Sequence, residues 1–247
     1  TNLAYWHAKR GYKYGEKDAL QDVKTWVEHQ AYYLTEATVE LAKERGPCRE
    51  SARTRYGQGI FPWELRAEAV NDLAEFSPEL DWETLRENMM KHGVRNATLM
   101  AIAPVESSSV VINSTNGIEM PMSLISVKES KAGSFVQVVP EYQKLKNKYQ
   151  LMWDQRDCDG YIKTAAVLAA YIDQSISTNT FYNPAFFPDR KVPTTLIAKN
   201  LMQAHIWGLK TFYYSLINKA GSKSVTEEAP LVPIDFDDES DCEACKL

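Results

Sequence analysis

Two cysteines separated by two residues, Cys242-Glu243-Ala244-Cys245, stand beside the end of a 247-residue chain. Thiols at this spacing can close a disulfide and exchange it with another, provided they can reach it. Zinc is a weaker reading, because a closed site needs a full tetrahedral ligand set and no second pair or C-x-x-H lies nearby. An accidental pair on a free end fits the same spacing. Adjacent phenols, Tyr213-Tyr214, form a second candidate. Each can lose an electron and a proton together, so stacked rings could relay a radical. Neighbours on a strand point to opposite faces, so core and surface is the other reading, and stacking requires a departure from ideal extension. Glu106-Ser107-Ser108-Ser109 is the third. Backbone N–H groups at a helix start, with hydroxyls beside them, hold phosphate at the carboxyl end of an α/β strand. A plain serine N-cap explains the same residues. His7, His29, His92 and His205 match no metal-ligand spacing, so no metal is expected. Cys48 and Cys158 have nothing adjacent in sequence that would activate a thiol.

The elements that must position these groups follow from periodicity. Residues 18–45 read as one helix, since Val23, Trp26, Val27, Ala31, Leu34 and Ala37 recur at three- and four-residue spacing and Gly46-Pro47 stops it. A second helix is expected over 82–91, capped by Asp81 and ended by His92-Gly93. Residues 98–103 form an apolar run closed by Pro104, which suits a strand covered on both faces. Residues 123–127 and 134–139 suggest a hairpin around Lys131-Ala132-Gly133. Residues 160–171 read as helix and 172–178 as strand. An amphipathic helix follows over 194–207, capped by Thr194 or Thr195, and then a strand over 210–216. From residue 219 acidic side chains crowd the sequence, which is expected to be a disordered tail. About 25 such residues span roughly 25–30 Å, enough to swing a dithiol across a domain radius. Strands alternating with helices indicate the α/β class.

Composition excludes several functions. With 44% hydrophobic and 25% charged residues the chain has the makings of a core, and its formal net charge is only -5. Scattered lysines and arginines lack the basic stripe of a nucleic-acid binder, so no nucleic-acid partner is expected. No apolar run approaches the roughly 20 residues of a membrane span, and residues 1–9 lack a signal-peptide layout. No membrane partner and a cytoplasmic location are therefore expected.

The order of the motifs along the chain resembles one family. Arg95-Asn96-Ala97-Thr98, then Pro104-Val105-Glu106-Ser107-Ser108-Ser109, then Asn113-Ser114-Thr115-Asn116-Gly117-Ile118-Glu119 are similar to the phosphate-loop region of bacterial and phage-type class I ribonucleoside-diphosphate reductase large subunits. Ile172-Asp173-Gln174-Ser175-Ile176-Ser177 and Gly208-Leu209-Lys210-Thr211-Phe212-Tyr213-Tyr214 follow, and a tail ending Cys245-Lys246-Leu247 completes the series, which covers essentially the whole chain.

The resemblance implies that residues 1–218 are the C-terminal portion of a ten-stranded α/β barrel, helix-rich, and that 219–247 are a flexible tail carrying the C-x-x-C pair. It implies that Tyr213 and Tyr214 relay a radical, that Glu106, Ser107 and Ser108 hold the diphosphate of a ribonucleoside diphosphate, and that Cys242 and Cys245 reduce the active-site disulfide and are themselves reduced by thioredoxin or glutaredoxin. The pair here has two intervening residues where some bacterial relatives have four. Leu196, Ile197, Leu201 and His205 would form a face that receives the small subunit's tail, although a core helix fits their pattern equally. No cofactor would be bound by this chain; the di-iron tyrosyl radical belongs to the small subunit. The thiyl-forming and reducing cysteines lie, in the family, in sequence preceding Thr1, so an N-terminal piece is an expected partner. Alternatively the chain is a non-catalytic docking or redox-delivery module for the small subunit.

Overall fold

The computed structural model describes residues 1–130 and 133–218. Residues 219–247, with the acidic tail and its Cys242 and Cys245, and Lys131-Ala132, where a hairpin turn is expected, fall outside those residues. A short helix α1 (Leu3–Arg10) leads into the long helix α2 (Lys17–Arg45), and four 3-10 turns between residues 51 and 72 connect it to α3 (Trp82–His92). Then come α4 (Glu106–Val111), the hairpin strands β1 (Ile125–Ser130) and β2 (Gly133–Val138), α5 (Tyr142–Leu145), α6 (Asp159–Ala169), β3 (Thr180–Tyr182), α7 (Thr194–Ile206) and β4 (Ser215–Ile217). This is a helix-rich α/β arrangement. Among the described residues no helix is long and apolar enough to cross a membrane.

The centre of the molecule is α6, whose Tyr161, Ile162, Ala165, Ala166, Val167 and Leu168 are all buried. A helix apolar on every side must be enclosed, and α2 and α7 both pack against it. On α2 the buried stripe runs through Val23, Val27, Ala31, Val39 and Ala42. Trp26 and Leu34, expected on that stripe, are 48% and 37% exposed. Lys24 and Glu28 are inside instead, because they neutralise each other at 2.6 Å. Asp81 caps α3 as expected, accepting the Thr84 N–H at 3.0 Å. At α7 the N-cap position belongs to Pro193 rather than Thr194 or Thr195, with no side-chain cap.

The hairpin is found where expected, whereas the other strands depart from expectation, β4 covering only Ser215–Ile217 where a run over 210–216 is expected. Among the described residues the strands form two separate two-stranded sheets, β1 antiparallel to β2 and β3 parallel to β4, and no closed barrel. The run 98–103 contributes one bridge, Ile102 to Ile176. Its reason is local: the Asp173 carboxylate takes the N–H groups of Leu99 (2.6 Å) and Met100 (2.9 Å), which a ladder would otherwise use. Ala101 and Ala103 are exposed, so the run is not covered on both faces. Residues 172–178 likewise give only the Ile176 bridge, and the regular strand begins at Thr180.

Inside α1, His7 is 3% exposed and neither ring nitrogen has a hydrogen-bond partner among the described residues. Its ring packs edge-on against Tyr14, centroids 4.5 Å apart. Burial lowers its pKa from 6.5 to about 4. The unfolded chain therefore binds a proton that the folded chain refuses. Stability should be complete above pH 7 and fall, by about 3 kcal/mol, as pH drops from the unfolded pKa toward the folded one. Urea titrations at several pH values check this, with His7→Phe expected to flatten that slope.

Candidate functional site

The serine turn is the first turn of α4 itself. Its N-cap position is Val105, without a side-chain cap, so an ordinary serine N-cap is not what forms here. Ser107 and Ser108 supply N–H groups at a point where an α-helix has no intrahelical acceptor for them. Both residues are exposed. Ser109 is turned inward, its hydroxyl donating to the Glu106 carbonyl at 2.6 Å and its N–H to the Val105 carbonyl at 2.9 Å.

Tyr213 and Tyr214 precede β4, and their ring centroids are 4.0 Å apart at an interplanar angle of 48°. Adjacent residues reach the same side because the ladder slips there. The parallel register pairs Thr180 with Ser215 and Phe181 with Leu216. Continued backwards, that register would send the Tyr214 N–H to the Thr178 carbonyl. Instead the Tyr213 N–H takes that carbonyl at 2.9 Å, while the Thr180 N–H still reaches the Tyr214 carbonyl at 2.8 Å. The displaced Tyr214 N–H donates to Asn179 Oδ1 at 2.9 Å. One extra residue in the strand is a bulge, which re-aims side chains. The Tyr214 hydroxyl raises the Tyr213 phenol above its ordinary pKa.

A cavity of about 340 Å3 is shared by Glu106 and the two phenols, while Ser107 and Ser108 are not among its lining residues. Thr115, Asn116, Glu119 and Asn179 also line it. Thr115 Oγ1 and Asn116 Oδ1 are buried without a hydrogen-bond partner among the described residues. Unpaired polar atoms facing inward are uncommon enough in folded proteins to call for an explanation. Glu119 accepts a hydrogen bond from Asn179 Nδ2. Burial pushes the Glu119 carboxyl up, Asn179 pulls it back, and the nearby Glu106 carboxylate adds to the rise.

With this geometry in place, comparison with known proteins settles the family. Residues 1–215 match the family described as ribonucleotide reductase, barrel domain. The chain belongs to this family. It is 40% identical over 246 residues to ribonucleoside-diphosphate reductase 1 subunit alpha of Salmonella typhimurium and of Escherichia coli K12, covering all of this chain and 32% of each relative. Subunit alpha of the ribonucleoside-diphosphate reductase of Enterobacteria phage T4 is 36% identical over 250 residues, again covering 32% of that protein. The chain thus spans about a third of the length of these curated relatives.

For a member of the reductase family, the remaining candidates divide as follows. On α7, Asn200 and Ala204 are buried against the body, Leu196 and Ile197 are half-buried, and Leu201 and His205 face outward. Sequence reasoning missed the two most exposed apolar residues of that face, Met202 at 64% and Ile206 at 54%. Cys158 is fully buried and its thiol is pushed up by that burial, which suits packing rather than chemistry. Among the described residues no group of three or more His, Cys, Asp or Glu could hold a metal ion. Sequence reasoning also missed Glu119 and Asn179 as site residues. Both were within reach of it: Glu119 ends the Asn113–Glu119 run, and Asn179 stands two residues beyond Ser177.

Proposed function

We propose that this chain is the C-terminal part of the barrel domain of a class I ribonucleoside-diphosphate reductase large subunit, working in the cytoplasm with the rest of that subunit and a small radical-generating subunit. The observation that supports this best is the shared cavity, lined both by Glu106 of the serine turn and by the phenols of Tyr213 and Tyr214. A ribonucleoside diphosphate would bind with its phosphates against the first turn of α4. Uncommitted N–H groups and the positive end of the helix favour negative charge there, and the Ser107 and Ser108 hydroxyls add donors. The phenols would carry the oxidising equivalent, each step moving an electron and a proton together, from the small subunit toward a cysteine thiol on the preceding segment. In the reduction itself the 2′ carbon–oxygen bond breaks, its oxygen leaves as water, and two thiols of that segment become a disulfide. Cys242 and Cys245 would return the two electrons by thiol–disulfide exchange and be recharged by thioredoxin or glutaredoxin. The remaining strands of a ten-stranded barrel would come from the preceding segment and flank the bridge at Ile102 and strand β4. The di-iron tyrosyl cofactor would reside on the small subunit, whose tail would lie along Leu196, Ile197, Leu201 and His205.

The decisive experiment combines this chain with the upstream segment of the large subunit and the small subunit. Co-purification and dithiol-dependent reduction of a ribonucleoside diphosphate are expected. A stable three-part complex without any such turnover would overturn the proposal.

A further inference from the structure

We infer that Glu119 and Asn179 are a positioning pair that sets the bulge at Tyr213-Tyr214, and through it the close ring-to-ring packing of the two phenols. The inference deepens the relay reading above and rests on it for its functional consequence, but its geometry stands alone. Asn179 is used from both ends. Its Oδ1 accepts the N–H that Tyr214 loses when the ladder slips, at 2.9 Å. Its Nδ2 donates to the Glu119 carboxylate. An amide has one acceptor end and one donor end, and free rotation would exchange them. Glu119, an acceptor when ionised, fixes which end faces Tyr214.

Without that orientation an NH2 group would meet the Tyr214 N–H, two donors facing each other. The simplest repair would return the Tyr214 N–H to the Thr178 carbonyl and restore regular alternation. The rings would then point to opposite faces. Neither Glu119 nor Asn179 needs to touch substrate for this role. Both come from outside the tyrosine segment, Glu119 from the loop after α4 and Asn179 from the residue before β3.

The test exchanges donor and acceptor across the pair. In Asn179→Asp the Tyr214 N–H keeps an acceptor, but two carboxylates then confront each other. Adding Glu119→Gln returns a donor to the partner position with almost no change in shape. Two readouts are taken. One is the fluorine NMR shift of 3-fluorotyrosine placed at position 213 of the full chain, which senses the ring current of Tyr214. The other is turnover of the assembled reductase.

Asn179→Asp is expected to lose the ring-current shift and about a hundredfold in turnover, the scale of a misplacement near 1 Å, and the double variant to recover the shift and most of the rate. If Asn179→Asp fails to fold, the double variant alone decides, since recovery requires the swapped hydrogen bond. A double variant that stays shifted away from wild type, or an Asn179→Asp whose ring-current shift is unchanged, overturns the inference. Should the shift follow the swap while turnover never depends on it, the positioning role survives and the relay reading fails.

Discussion

Tyr213→Phe and Tyr214→Phe should each remove nucleotide reduction from the assembled enzyme, by about a thousandfold or more, which corresponds to at least ~4 kcal/mol of barrier. Phenylalanine keeps the ring and its packing at 4.0 Å but has no proton to release with the electron. Stability should hardly change, because the two residues are 51% and 58% exposed and surface substitutions shift folding by at most about 0.5 kcal/mol. The measurements are deoxyribonucleotide formation and co-purification with the other two components. Wild-type turnover in either variant, with the complex intact, would leave the chain as a docking or redox-delivery module. The apolar face of α7, with Leu201, Met202 and Ile206 turned outward, is the feature such a module would use.

The second large effect concerns folding. Glu28 is fully buried, yet it is held by Lys24 at 2.6 Å, by the Glu79 N–H at 2.8 Å and by the Trp82 indole N–H at 3.0 Å. Lys24 in turn donates to the Ser77 carbonyl at 2.8 Å. These contacts tie α2 to the segment before α3 and to α3 itself. Glu28→Ala leaves an ammonium 1% exposed with its closest counter-charge gone, and two N–H donors without an acceptor. Breaking one partner of such a buried pair costs about 3–5 kcal/mol, although replacing both by apolar groups of like volume costs far less. Denaturant unfolding should therefore place Glu28→Ala well below the wild type and Lys24→Met with Glu28→Leu between them. A Glu28→Ala midpoint equal to the wild type would mean that water reaches this site.

What was legible in the sequence was what local periodicity encodes. The helices expected at 18–45, 82–91, 160–171 and 194–207 are found as Lys17–Arg45, Trp82–His92, Asp159–Ala169 and Thr194–Ile206. Their stop signals, Gly46 and Gly93, are likewise where the helices end. The expected hairpin at 123–127 and 134–139 is found as Ile125–Ser130 and Gly133–Val138, but the other strands were poorly legible because their pairing depends on residues far away. The apolar run at 98–103 has the composition of a buried strand, but a carboxylate more than seventy positions away, Asp173, takes its first amides. The serine turn could be placed from its sequence, but not its relation to the helix, since nothing local shows that Val105 rather than a serine is the N-cap. The tyrosine pair announced itself, and even its need for irregular backbone could be deduced. Its cause could not, because the bulge depends on the side chain of Asn179, thirty-five positions earlier.

About half of Tyr213 and of Tyr214 faces water on this chain. An oxidising equivalent parked on a wetted phenol is open to every small reductant that diffuses past, and insulation is the usual safeguard for such a group. If Tyr213 and Tyr214 carry a radical, the bulge that turns both rings to one side also turns both to one lid. A single covering surface then shields the pair together, and charge can be loaded only while that surface is seated. Docking would thus act as the interlock that keeps an idle subunit from leaking oxidant.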